Sequence, residues 1–207
     1  MSDCLLLIDV QRGFVTPETE FVVPRLKELA GMGFDHIVAT KFVNKPFSPF
    51  VKYLGWRGMM SAPDTDLLDF VQDAAEGVEE KYGYSAVCQR INDFFHSNGV
   101  DTVYIAGIDT DCCVLKNAAD FFDLGYGVTV LMWYTASNGG EESVKAARKV
   151  LSRMIGEDRI VDGRLDWDAL RHSGQMTQMP GIRMFCHAFS GYMQYDSLSM
   201  RRYIGEV

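Results

Sequence analysis

Three residue types that together can do covalent chemistry lie far apart in this chain, each at a place where a fold could gather them. Cys113 ends the run Asp109-Thr110-Asp111-Cys112-Cys113, Asp9 closes the apolar run Cys4-Leu5-Leu6-Leu7-Ile8, and Lys81 closes Gly77-Val78-Glu79-Glu80. A thiol with an ordinary pKa of about 8.5 is mostly protonated at neutral pH. A cysteine nucleophile therefore needs a carboxylate to accept its proton, or a cation and a helix N-terminus to hold the thiolate. Asp9 supplies the first; Lys81 and the helix start near Cys113 supply the second. Attack on a carbonyl also creates an oxyanion, which backbone N–H groups at a strand-to-helix turn can meet, and residues 108–113 read as such a turn. Singly the three carry little weight, because strand-end Asp makes turns, a lone Lys is solvated and a Cys among apolar residues is inert packing.

Convergence requires a sheet. The short, continuous apolar run 4–8 reads as a strand, and so do residues 36–43, 77–81, 102–107, 128–132 and 159–161. Helical patterns fill 23–32, 65–75, 85–97, 112–124 and 141–155 between them. Strands alternating with helices predict an α/β fold, a parallel, doubly wound sheet with helices on both faces. Ligands in such sheets bind outside the carboxyl ends of the strands, where strand order reverses. That is where Asp9, Lys81 and residues 109–113 fall. The stretch 45–63, with Pro46, Pro49 and Trp56, reads as a long loop of the kind that serves function. Helical phase from residue 112 puts Cys112 on a stripe with Leu115, Ala119 and Phe122, and Cys113 with Lys116, Asn117 and Asp120. Cys112 is thus expected in the core and Cys113 within reach of solvent.

The bulk properties narrow the function classes. At 207 residues the chain suits one α/β domain, assigned to 1–162. The extension 163–207 is rich in Met and aromatic residues and is expected to pack on its own or a neighbouring subunit, giving a homo-oligomer, dimer or tetramer. A formal charge of −8 opposes binding to nucleic-acid backbones. No apolar stretch approaches the roughly 20 residues of a membrane span, and a cytoplasmic location is expected. Five irregularly spaced cysteines predict free thiols and no structural zinc.

Several segments, in order, give the chain a family likeness: Leu6-Leu7-Ile8-Asp9-Val10-Gln11 with Phe14, Glu80-Lys81-Tyr82-Gly83-Tyr84-Ser85-Ala86, Ala106-Gly107-Ile108 running through Cys113-Val114, and Ser137-Asn138-Gly139-Gly140-Glu141-Glu142. Across residues 1 to about 162 it resembles the isochorismatase-like cysteine hydrolases, which include nicotinamidases and N-carbamoylsarcosine amidase. The resemblance implies an Asp9–Lys81–Cys113 triad, a six-stranded sheet of order 3-2-1-4-5-6 and a cis peptide between Ile108 and Asp109. It also implies an oxyanion hole formed by the N–H groups of Asp109 and Cys113, and a thioester intermediate.

Nicotinamidases of the family hold a divalent metal with an Asp-x-His and a further His after the second strand. Residues 40–50 here, Thr-Lys-Phe-Val-Asn-Lys-Pro-Phe-Ser-Pro-Phe, contain no His, so no catalytic metal and no cofactor are expected. A thiol at 113 favours the amidase branch over the enol-ether chemistry of isochorismate. The expectation is a metal-independent hydrolase of a small amide, carbamoyl or imide. Ester or enol-ether hydrolysis and a vestigial binding or scaffold protein are the alternatives. Gln11, Phe14, Trp56 and Tyr84 are the candidate pocket residues, with Phe42 and Phe47 further possibilities. Asp109, a carboxylate beside an oxyanion, is expected to turn away or to bond a substrate amine, the alternative being a turn-forming Asp with no catalytic part.

Overall fold

The apolar run of β1 (Ser2–Ile8) can only be an inner strand, since Cys4 through Ile8 are all buried. In the computed structural model, which describes residues 2–166, it pairs in parallel with β2 (His36–Phe42) on one side and β4 (Val100–Ile108) on the other. β3 (Gly77–Lys81), β5 (Gly127–Ala136) and β6 (Ile160–Val161) complete a six-stranded parallel sheet in the order β3-β2-β1-β4-β5-β6. The chain winds outward from β1 to β3, then returns to lay β4 beside β1. That reversal is the topological switch point, and its ligand-facing ends are Asp9 and the residues after Ile108.

Helices cover both faces. α4 (Gln89–Ser97), α5 (Leu115–Asp123) and α6 (Gly140–Ile155) bury Ile91, Phe95, Ala118, Phe121, Leu151 and Ile155 in one cluster with Cys4, Leu6 and Ile8. Alternation along β1 turns Leu5 and Leu7 to the opposite face, the side of α1 (Val23–Ala30) and α3 (Asp69–Ala74). The stretch expected as a long loop contains a short helix, α2 (Pro49–Leu54), with Pro at its start, Ser48 capping Val51 N–H and Gly55 in the left-handed region at its end. The helix expected from residue 85 begins four residues later. Residues 85–88 instead bond sideways, with Ala86 N–H donating to Asn117 Oδ1 and Ser85 Oγ to Asp120.

Gly107 lets the two central strands close on one another. Its φ is +128°, and a Cβ there would lie 2.1 Å from the Ile8 carbonyl oxygen. Only glycine permits that approach, which brings the end of β1 against the end of β4. The extension 163–207 falls, apart from its first four residues, outside the described residues. Of those four, Leu165 is buried and its N–H donates to Tyr134 Oη, so the compact unit runs on to Leu165.

Candidate active site

Asp9 follows β1 with φ of +49°, a left-handed conformation that turns the chain sharply out of the sheet. Thr40, inward on β2, fixes its carboxylate. The threonine hydroxyl donates to Asp9 Oδ1 at 2.6 Å while accepting from Asp9 N–H at 3.0 Å. The other oxygen, Oδ2, meets the Lys81 ammonium at 2.7 Å. Lys81 starts from β3, two strands away or about 9.6 Å across the sheet, a gap that its extended side chain closes together with the Asp9 side chain reaching toward it. Its three N–H groups have three partners: Asp9 Oδ2, the Gly83 carbonyl at 2.9 Å and Cys113 Sγ at 3.4 Å. The structure thus brings the predicted thiol, carboxylate and ammonium together, with Asp9 at 0%, Lys81 at 5% and Cys113 at 7% exposure.

The charge states follow from this burial. Burial pushes the Cys113 thiol well above the ordinary value, and the adjacent Asp9 carboxylate pushes it further, with Lys81 opposing. Burial alone would lower Lys81, yet the Asp9 carboxylate and the Cys113 sulfur raise it above its ordinary value. The resting cluster is therefore a neutral thiol beside an ion pair.

Cys113 is presented by a turn that is not an α-helix. Residues Thr110–Val114 form a π-turn ahead of α5, and the peptide between Ile108 and Asp109 is cis. The π-turn overturns the expected phase of the two cysteines. Cys113 is the buried one and Cys112 the more exposed, because a wider turn rotates side chains away from their α-helical angles. Asn117, expected on a polar stripe, is likewise fully buried. It bonds the Cys113 and Tyr84 carbonyls and Ala86 N–H, tying the lysine-side loop to the cysteine turn.

Cys113 opens on a cavity of about 160 Å³. Its walls are Phe14, Phe42, Phe50, Leu54, Trp56 and Tyr84; its floor is Asp109, Cys112 and Cys113. Phe14 and Phe42 stack on Trp56 with ring centroids 6.2 and 5.9 Å apart, and Phe50 meets Tyr84 edge-on at 5.1 Å. Of the predicted pocket residues, Phe14, Trp56 and Tyr84 stand in the wall. Gln11 does not. Both ends of its amide are taken by backbone groups, Nε2 donating to the Phe42 and Thr65 carbonyls and Oε1 accepting from Phe42 N–H, so it staples the loop after β1 to β2. Phe47 is 96% exposed and away from the cavity, since α2 starts just beyond it and carries Phe50 inward instead. Asp109 turns one oxygen aside: Oδ1 accepts from Asn138 N–H and Nδ2, both at 2.8 Å. Thr40, Asn117, Asn138 and Phe50 were not singled out from the sequence. Asn138 lay within one of the family-like segments and Asn117 on the stripe shared with Cys113, but neither position gave its partners away.

The stretch after β2 does not fit a metal. Asn44 is occupied by the Trp56 and Gly58 carbonyls, Lys45 N–H and Ser48 Oγ. Among the described residues no three His, Cys, Asp or Glu side chains are grouped to hold a cation. Nor, among them, is any helix long and apolar enough to cross a membrane.

A doubly wound parallel sheet whose switch point holds a carboxylate, an ammonium and a thiol places this chain in the α/β hydrolytic enzymes. The profile of the isochorismatase domain matches residues 3–157, and the chain belongs to that family. Solved structures share the fold. An isochorismatase-like hydrolase from Alkaliphilus metalliredigens superposes with a TM-score of 0.70 at 20% identity, over 84% of this chain and 99% of that one. N-carbamoylsarcosine amidase from Thermoplasma acidophilum gives 0.66 at 23%, over 78% and 95%. The pyrazinamidase/nicotinamidase of Streptococcus mutans gives 0.67 at 23%, over 77% and 100%. No curated protein matches the sequence.

Proposed function

We propose that the protein is a metal-independent cysteine hydrolase that cleaves the C–N bond of a small amide, carbamoyl or imide compound through a thioester. The observation carrying this reading is the buried contact of Lys81 with both Asp9 Oδ2 and Cys113 Sγ at the floor of a cavity. Because the thiol rests protonated, the proton must leave as sulfur attacks, and Asp9 is the base at hand. Cys113 Sγ bonds to the carbonyl carbon while its proton passes to Asp9. The oxyanion is met by the N–H groups of Asp109 and Cys113. Asp9 then returns the proton to the leaving nitrogen, the C–N bond breaks and the amine departs. Water attacks the thioester, giving one proton to Asp9, which passes it to the departing sulfur. Throughout, Lys81 stays an ammonium, orienting Asp9 and stabilising sulfur as negative charge gathers there.

The structures of an N-carbamoylsarcosine amidase and of nicotinamidases on the same fold support amide chemistry here. The donor-poor stretch after β2 supports a mechanism without a metal. The test is ammonia release from a panel of small amides, with Cys113→Ala and Cys112→Ala compared. Cys113→Ala is expected to abolish turnover and the acid-stable acyl adduct on the 113-containing peptide, while Cys112→Ala keeps activity within about tenfold. Equal loss at both cysteines would refute the nucleophile assignment.

A further inference from the structure

We propose that the cavity selects amides whose remainder carries a positive charge, a quaternary or protonated ammonium held between aromatic faces and the Asp109 carboxylate. This rests on the hydrolase reading above and names its substrate class. At about 160 Å³ the space is close to the roughly 150 Å³ that accommodates a benzene ring, enough for an amide and one compact group. Phe14, Phe42, Phe50, Trp56 and Tyr84 surround that group with five π-systems, whose negative faces attract cations. Among the described residues no Lys, Arg or His lines the cavity. The Lys81 ammonium, at Cys113, lies 5.2 Å from the Phe42 ring centre, with its donors already engaged.

Asp109 supplies the counter-charge. Asn138 holds Oδ1 with two hydrogen bonds and is itself tied to the Phe14 carbonyl and Thr16 Oγ1, so the carboxylate cannot swing out of the cavity floor. Oδ2 has no hydrogen-bond partner among the described residues. Asp111 adds a second carboxylate to the same turn, bonded to Ser137. Tyr84, at the cavity wall, is held above its ordinary pKa first by burial, with the Asp111 and Asp109 carboxylates adding to the shift. The chemistry points the same way. An uncompensated Asp109 would repel the oxyanion forming above Cys113, whereas a cation seated against it offsets that repulsion. A carboxylate-bearing amide would meet the Asp109 carboxylate and, among the described residues lining the cavity, no cationic side chain.

The experiment uses trimethylammonioacetamide, its neutral isostere tert-butylacetamide, and the smaller, anionic malonamate. On the wild-type protein, kcat/KM from ammonia release is expected to favour the cation over the neutral isostere by about tenfold or more, with malonamate lowest. Asp109→Asn should bring the first two within about threefold. Calorimetric titration of the same compounds into Cys113→Ala reads the preference without turnover. Hydrolysis of the neutral or anionic amide at least as well as the cation overturns the charge preference while leaving the hydrolase reading intact. Cation-selective binding with no amide hydrolysed by the wild type does the reverse. Binding of none of the three to Cys113→Ala also overturns the proposal.

Discussion

Removing the charge of Asp9 separates a general base from a mere structural partner, because the two roles push the thiol and the turnover in opposite directions. In Asp9→Asn the amide keeps the shape of the carboxylate and an oxygen for the Thr40 hydroxyl, but the anion facing Lys81 is gone. Asp9 Oδ2 and Cys113 Sγ lie 2.7 and 3.4 Å from the same ammonium, hence at most 6.1 Å apart, the sum of the two. At that separation and an effective dielectric near 20, two negative charges repel by about 3 kcal/mol. Loss of that repulsion makes thiolate roughly a hundredfold more populated at a given pH. The unpaired Lys81 ammonium adds to the pull on the sulfur proton. Iodoacetamide should therefore alkylate Cys113 at neutral pH at least about tenfold faster in Asp9→Asn than in the wild type, the gain tempered by the lower nucleophilicity of a more acidic thiol. Amide turnover should fall by about 10²–10⁴, the usual worth of a positioned base. Peptide mapping of the alkylated cysteine against time, at several pH values, supplies the first number and ammonia release the second. Unchanged or slower alkylation of Cys113 would refute the electrostatic reasoning, and retained turnover would refute Asp9 as base.

The close approach of β1 and β4 makes Gly107→Ala costly, since the new Cβ meets backbone rather than a side chain that can move aside. Urea unfolding should show a loss of at least about 2 kcal/mol, and a loss below about 0.5 would contradict the geometry. Stability should also decline in alkali. Burial raises the Cys4 and Cys113 thiols, and Cys112 is pushed up to about 11, first by burial and then by Asp111 and Asp109. Lys81 also lies above its ordinary value. For each, the folded state holds its proton more tightly than the unfolded chain. The resulting stability is complete below the unfolded values, about 8.5 for the thiols and 10.4 for Lys81, and is lost as pH rises toward the folded ones. The melting temperature should fall from about pH 9 upward, less steeply in Cys4→Ala, and a flat profile to pH 10.5 would contradict it.

The sheet was legible because its signals are local. An unbroken apolar run such as Leu5-Leu6-Leu7-Ile8 has few structures open to it, and strand order followed from the family likeness. Asp9 was legible for the same reason, as it interrupts the apolar run before it, whereas Lys81 follows Glu79-Glu80 and stood out through the family likeness. What the sequence hid depends on partners far along the chain. Gln11 looked like a pocket residue from its place two positions after Asp9. Its destination was set by carbonyls of Phe42 and Thr65, 31 and 54 positions away. Helical phase misplaced Cys112 and Cys113 because 100° per residue holds only in an α-helix, and the turn that carries them is wider.

The same reasoning explains why Asp109 is the residue on which sequence and structure most need each other. Sequence raised its difficulty, a carboxylate next to an oxyanion, without the means to resolve it. In the structure the resolution comes from Asn138, 29 positions away, on the loop after β5. Two donors on one carboxylate oxygen favour its ionised form, while burial, the larger effect, raises its pKa above the ordinary value. A partly desolvated carboxylate with one free oxygen is relieved most by a cation. A turn-forming Asp with no part in binding would be held by Asn138 equally well, and the substrate ratios of wild type and Asp109→Asn tell the two apart.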